Sequence, residues 1–118
     1  MLATMHMETH GETTVARIVG EIDASNASDF AGQLKDALPN SALGLVVDLS
    51  ETEYIDSSGV HMIFDLADAL RRRQQILHLV VPSDSFVGDV LGVVNVSGAA
   101  QTSPTLSDAL DALRDPEF

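Results

Sequence analysis

The sequence predicts a single α/β domain with a mostly parallel sheet, an N-terminal antiparallel strand pair and about four helices, in the order ββαβαβαβα. Three observations carry this. Two short apolar runs rich in β-branched residues, Leu43–Val47 and Ile76–Val81, have the pattern of strands covered on both faces. The segments between and after them repeat apolar residues at intervals of three and four, the period of helices lying on a sheet. A length of 118 residues with 45% hydrophobic content supplies one core and no room for a second domain. The domain is read as residues 1–114, with Asp115–Phe118 as a short tail.

Each element follows from its residues. Thr4–Glu8 alternates polar and apolar side chains, Thr9–Glu12 supplies turn chemistry, and Thr14–Val19 reads as the antiparallel partner, ended by Gly20-Glu21-Ile22-Asp23. From Ala24 onward, Ala27, Phe30, Ala31, Leu34, Ala37 and Leu38 form one helical face, which Pro39-Asn40 stops. After the first apolar strand a short loop leads into a second helix. There Val60, Ile63, Phe64, Ala67 and Leu70 mark the buried side, and His61, Asp65, Asp68 and Arg72 the opposite one. Arg71-Arg72-Arg73 closes this helix, where cations complement the carboxyl-end dipole; this role is favoured over anion binding. Pro82-Ser83-Asp84 opens a weaker third helix through Val87, Val90, Leu91 and Val94, with Gly88 and Gly92 lowering its propensity. Ala99–Thr102 reads as an edge strand, and Ser103-Pro104 starts a terminal helix carrying Leu106, Ala109, Leu110 and Leu113. In such a layer the functional loops lie past the carboxyl ends of the strands.

Charge narrows the partners. Six Lys and Arg against eighteen Asp and Glu give a net charge of −12, which excludes attraction to nucleic-acid phosphates or an anionic membrane surface. Residues 1–59 hold ten of the acids and only two of the bases. Met1–His10 has neither a basic leader nor a long apolar core, and no run of roughly eighteen apolar residues occurs, so the reading is cytoplasmic. Without cysteine there is no disulfide framework, thiolate metal site or thiol switch.

Catalytic readings fail in turn. No G-x-S-x-G elbow exists, since position 55, two before Ser57, is Ile. Neither a phosphate-binding G-x-x-x-x-G-K-[ST] loop nor a dinucleotide fingerprint is present, and no cofactor is expected. His6, His10, His61 and His78 lack metal-ligand spacing, so no metal site is expected; His78 reads as a hydrogen-bonded core or sheet-face residue. Asp48, Glu51, Glu53 and Asp56 crowd one loop, but no apolar enclosure there would raise a carboxyl pKa for acid–base work. The expectation is a non-enzymatic protein with no catalytic residues.

One segment stands apart. The strand ending at Asp48 leads through a loop into Asp56-Ser57-Ser58-Gly59, immediately before a periodic helix. A single Asp or Ser suffices to cap that helix, contributing ~1 kcal/mol. Three small polar residues followed by Gly exceed this need, and no Glu or Gln completes a capping box. A hydroxyl here can instead receive a phosphate, adding roughly −1.5 to −2 charges to an acidic surface.

The segment resembles the phosphorylation loop of the STAS domain, in particular the small bacterial anti-sigma factor antagonists. The resemblance also rests on Gly20-Glu21-Ile22-Asp23, Val46-Val47-Asp48-Leu49, Ile55-Asp56-Ser57-Ser58-Gly59-Val60 and Thr105–Leu110, and runs over nearly the whole chain. It implies a transcriptional partner switch in stress-response or sporulation signalling. The unphosphorylated antagonist binds an anti-sigma factor that is also a serine kinase and so frees the sigma factor; phosphorylation ends the binding, and a serine phosphatase restores it. Ser57 matches the phospho-acceptor, with Ser58 the alternative. Asp23, Asp56, Ser57, Ser58 and Gly59 match the partner-binding positions. A STAS scaffold or ligand-sensing module without phosphorylation is the second reading. Where relatives often end the third helix with Gly, this chain has Asn95, which can also take the left-handed cap. Asp84, Gly88 and Asp89 stand where relatives commonly carry Lys or Arg. Glu21, Asp23, Asp48, Glu51, Glu53, Asp56 and Asp84 are expected in loops near one rim of the sheet, facing a partner patch of basic character.

Overall fold

Strand β2 (Thr13–Ile22) organises the molecule, because it exchanges hydrogen bonds with three other strands. The computed structural model describes residues 3–114; the tail read at Asp115–Phe118 lies outside the described residues. Strand β1 (Thr4–His10) runs antiparallel to β2 through a two-residue turn in which Gly11 takes a φ of 64°, a conformation that favours glycine. Helix α1 (Ala27–Ala37) follows, and then β3 (Gly44–Asp48), parallel to β2. After α2 (Ser57–Arg72) comes β5 (Ile76–Val80), parallel to β3, and helix α3 (Phe86–Val93). A single 3-10 turn (Val96–Gly98), strand β6 (Gln101–Ser103) and α4 (Leu106–Arg114) complete the described chain. The sheet order is β1-β2-β3-β5-β6, all parallel except β1.

The fold class is the one read from the sequence, with one element added. Thr52–Ile55, read as loop, is a short strand β4 that pairs in parallel with the far end of β2, from Gly20 to Ile22, with an irregularity of register between Gly20 and Glu21. Strand β2 changes partner between Arg17, its last residue paired with β3, and Gly20, its first paired with β4. Thr52 secures the change: its buried Oγ1 donates to the Ile18 carbonyl at 2.7 Å.

Alternation along the parallel strands divides the core. Leu45, Val47, Leu77 and Leu79 point to the layer holding Phe30 and Leu34 of α1, Ile63, Leu66 and Leu70 of α2, and Val87 and Leu91 of α3. Val15, Val46 and Val80 point the other way, onto Ala109 and Leu113 of α4. Each such fully buried Val or Leu contributes roughly 1.5–3 kcal/mol relative to exposure, which exceeds any propensity deficit in these short helices. His78 lies under α4, 2% exposed, with Nε2 2.6 Å from Ser103 Oγ, the sheet-face role expected. Burial pushes its imidazole below the ordinary histidine value, with Gln101 acting in the opposite direction.

The arginine run at the end of α2 is structural. Arg71 and Arg72 both pair with Asp68 one turn back. Arg73 donates to the carbonyls of Lys35 and Leu38 and to Asn40 Oδ1, tying the end of α2 to the end of α1. Helix α3 begins later than expected. Ser85 caps it, its Oγ accepting from the Gly88 N–H at 2.9 Å, so Pro82–Asp84 precede the helix. Asn95 adopts the left-handed conformation after it, at φ 57° and ψ 51°, the role anticipated where relatives use Gly.

Candidate functional site

Strands β2 and β4 end side by side. Ile22 and Ile55 are register partners, so the residues that follow them, Asp23 and Asp56, leave neighbouring strands whose backbones lie about 4.8 Å apart. The Asp56 N–H donates to the Ile22 carbonyl at 3.2 Å, which fixes the start of α2 against β2. Asp56 then caps that helix alone. Its extended backbone turns Oδ1 onto the N–H groups of Ser58 at 2.9 Å and Gly59 at 3.2 Å, and its carbonyl accepts from Val60.

With the cap supplied by Asp56, neither serine hydroxyl is needed for it. Ser57 is exposed at the first helical position, and its Oγ has no hydrogen-bond partner among the described residues. Ser58 is half-buried and lines a cleft between α1 and α2, with Ala24, Ser28, His61 and Asp65. Gly59 has a steric role: a Cβ there would overlap Ile55 Cγ1 and approach Ile22 Cγ2 to 2.9 Å. The absence of a side chain lets the first turn of α2 sit directly on β2 and β4.

Asp23 builds the neighbouring turn. Its N–H donates to Asn26 Oδ1 at 3.0 Å, and its carbonyl accepts from the N–H groups of Asn26 and Ala27. Its carboxylate accepts from both the hydroxyl and the N–H of Ser25, which hold it below the usual carboxylate range. Asn26 Nδ2 donates to the Glu21 carbonyl at 2.9 Å, closing the turn on β2. Thus all five residues singled out in the sequence, Asp23 and Asp56 to Gly59, meet at one rim.

Three of the acids expected in loops are strand residues. Asp48 is 6% exposed as the last residue of β3, accepting from the Ser50 N–H at 3.0 Å; it is a strand residue and not part of a solvated loop. Glu21 and Glu53 are likewise strand residues, of β2 and β4, whereas Asp23, Glu51, Asp56 and Asp84 lie in the segments that follow the carboxyl ends of β2, β3, β4 and β5. Arg17, 3.5 Å from Glu51, offsets part of this charge. No cluster of three or more His, Asp or Glu suited to a metal occurs among the described residues.

Sequence reasoning missed a neighbouring pair. The rings of Tyr54 on β4 and Phe86 on α3 stack with centroids 5.5 Å apart and planes at 10°. Reading Thr52–Ile55 as loop hid Tyr54, and assigning Val87, Val90, Leu91 and Val94 to one buried face hid the second stripe at Phe86, Val90 and Val93. Only Val87 and Leu91 of α3 are buried.

Comparison with known proteins bears on the family and the fold. The STAS domain family model matches residues 4–109. The anti-sigma-B factor antagonist of Listeria monocytogenes serovar 1/2a is 30% identical over 89 residues, spanning 69% of this chain and 78% of that protein. The crystal structure of an anti-sigma factor antagonist from Mycobacterium paratuberculosis matches with a TM-score of 0.85 at 25% identity, over 97% of this chain and 96% of its own. The anti-sigma factor antagonist SpoIIAA of Bacillus, in its unphosphorylated form, shares the fold with a TM-score of 0.74 at 21% identity, over 94% of this chain and 98% of its own. A match across nearly all the described residues, on a frame that brings the serine loop beside Asp23, places the chain in the STAS domain family.

Proposed function

We propose that this chain is an anti-sigma factor antagonist switched by phosphorylation of Ser57. Unphosphorylated, it binds a serine-kinase-type anti-sigma factor through Asp23, Asp56, Ser57, Ser58 and Gly59, and the sigma factor is released. The kinase transfers the γ-phosphoryl group of ATP to Ser57 Oγ: the bond to ADP breaks, the Oγ–P bond forms, and the hydroxyl proton passes to a base on the kinase. A serine phosphatase reverses the modification by hydrolysis.

The observation that carries this reading is the division of labour at the start of α2. Asp56 occupies the amides of Ser58 and Gly59, so the Ser57 hydroxyl is exposed without a structural duty. A phosphate placed on it finds those donors already engaged and a carboxylate beside it. It therefore projects outward as a bulky dianion, which resists desolvation in a closely packed contact. Ser58, half-buried at the α1–α2 cleft, is less open to a kinase.

The test is incubation with ATP and the kinase-type anti-sigma factor recovered from the native host, followed by intact-mass measurement. One phosphate is expected on the wild type and on Ser58→Ala, and none on Ser57→Ala. Partner binding that survives Ser57→Asp unchanged would refute the switch, and an unmodified mass with stable binding would favour a scaffold that is not phosphorylated.

A further inference from the structure

Of the large apolar side chains exposed on the described surface, Met7 and Leu43 lie apart, whereas Tyr54, Phe86, Val93 and Val94 lie on β4 and at α3. Phe86 is 51% exposed, Tyr54 40% and Val93 86%. Phe86, Val90 and Val93 recur at four and three, forming a stripe on α3 roughly 10 Å long that borders the face of buried Val87 and Leu91, with Val90 half-buried against the core and Phe86 and Val93 in solvent. The parallel stacking of Tyr54 on Phe86 fixes both rings in advance, so little side-chain entropy remains to be lost on binding.

We infer that the Tyr54–Phe86 stack and the α3 stripe form the apolar anchor through which the anti-sigma factor grips this chain, seated in a partner pocket that is apolar at its centre and lined by Lys or Arg at its edge. This rests on the proposed function above. Charge selects the occupant. Glu53, Asp84 and Asp89 are all exposed around the stripe. The described basic side chains lie elsewhere: Lys35 and Arg71 to Arg73 near the far ends of α1 and α2, and Arg17 on the α4 side of the sheet beside Glu51. A second copy, carrying the same net charge of −12, would set acid against acid, whereas a basic rim complements it. Continuity supports the same partner, since Tyr54 lies on β4 three residues before Ser57, and one contact surface can cover both. The stack thus supplies affinity that is independent of the phosphate, and Ser57 the means of ending it.

The test measures the dissociation constant of the purified kinase-type anti-sigma factor for the full chain, for Phe86→Ser, and for Val93→Lys, whose highly exposed site tolerates substitution without loss of fold. Ser57→Asp and Gln33→Ala, the latter an exposed residue of α1 towards the opposite end, are run alongside. Both patch variants are expected to bind at least about tenfold more weakly, as truncation of an interface anchor does, with unchanged circular dichroism. Patch variants within about twofold of wild type, while Ser57→Asp loses binding, would overturn the anchor and leave the switch standing. Failure of the wild type to bind any such factor would overturn the functional reading and the anchor with it. A wild-type dimer in sedimentation that Phe86→Ser dissolves would assign the stripe to self-association and overturn the inference.

Discussion

Replacing Asp56 with Ala separates the capping role from the signalling role at the start of α2. The substitution removes an acceptor that holds two amide donors, at 2.9 and 3.2 Å. Loss of an N-cap of this type costs about 1 kcal/mol. Loss of a negative charge at the helix N-terminus adds about 0.3–1 kcal/mol at low ionic strength. With an unfolding entropy of roughly 0.25 kcal/mol/K for a chain of this length, a total near 1.5 kcal/mol lowers Tm by about 6 °C. Asp56→Asn keeps the acceptor and loses only the charge, so its Tm falls by about 2 °C, and added salt removes most of that difference. Ser57→Ala stays within about 0.5 kcal/mol of wild type, because its hydroxyl makes no bond in the fold. Thermal unfolding followed by circular dichroism, in low and high salt, measures all three. A Ser57→Ala loss equal to that of Asp56→Ala would make the serine a cap and refute the division of labour.

Two further outcomes follow from the packing. Gly59→Ala forces a methyl group into Ile55 and Ile22, and urea unfolding should show a loss of about 1–3 kcal/mol; an unchanged midpoint would mean that α2 shifts freely off the strands. For His78, burial lowers the folded-state value below the unfolded one. Between those values the unfolded chain binds more protons, so stability is constant above about pH 6.5 and declines as pH falls below it. His78→Gln should flatten that decline relative to wild type in urea midpoints taken from pH 7.5 to 5; identical slopes would show that the imidazole protonates without cost in the fold.

The sequence made the central layer legible because burial on both faces leaves an unmistakable mark. Leu45 to Val47 and Leu77 to Val80 have no solvent side, a condition that selects apolar β-formers, with His78 the polar exception bonded to Ser103. The serine loop was legible for a different reason: its small polar residues exceed what a cap requires. Strand β4 was not legible. Its burial runs buried, exposed, exposed, buried, without alternation, and it pairs with a single neighbour, so tertiary contact with β2 and the Thr52 hydrogen bond define it more than its own residues do. The stacking of Tyr54 on Phe86 joins residues 32 positions apart and depends on that unseen strand. Asp48 shows the same limit: its carboxylate looks like loop chemistry, while the backbone carries it into the sheet.

The length of β2 has a consequence of its own. One strand of ten residues, roughly 33 Å at the usual rise and irregular only after Gly20, connects the hairpin turn at Gly11 to Asp23. Side chains on it alternate between two cores, so a slip of one residue would turn Ile22 out of its layer and carry Asp23 to the wrong side of the β4 end. The register of β2 against β3 and β4 therefore carries the position of the serine loop. It is held by the parallel pairing and by the Thr52–Ile18 and Asp56–Ile22 hydrogen bonds, so a residue added in the Gly11 turn leaves Asp23 beside Asp56, whereas one added within β2 moves it away.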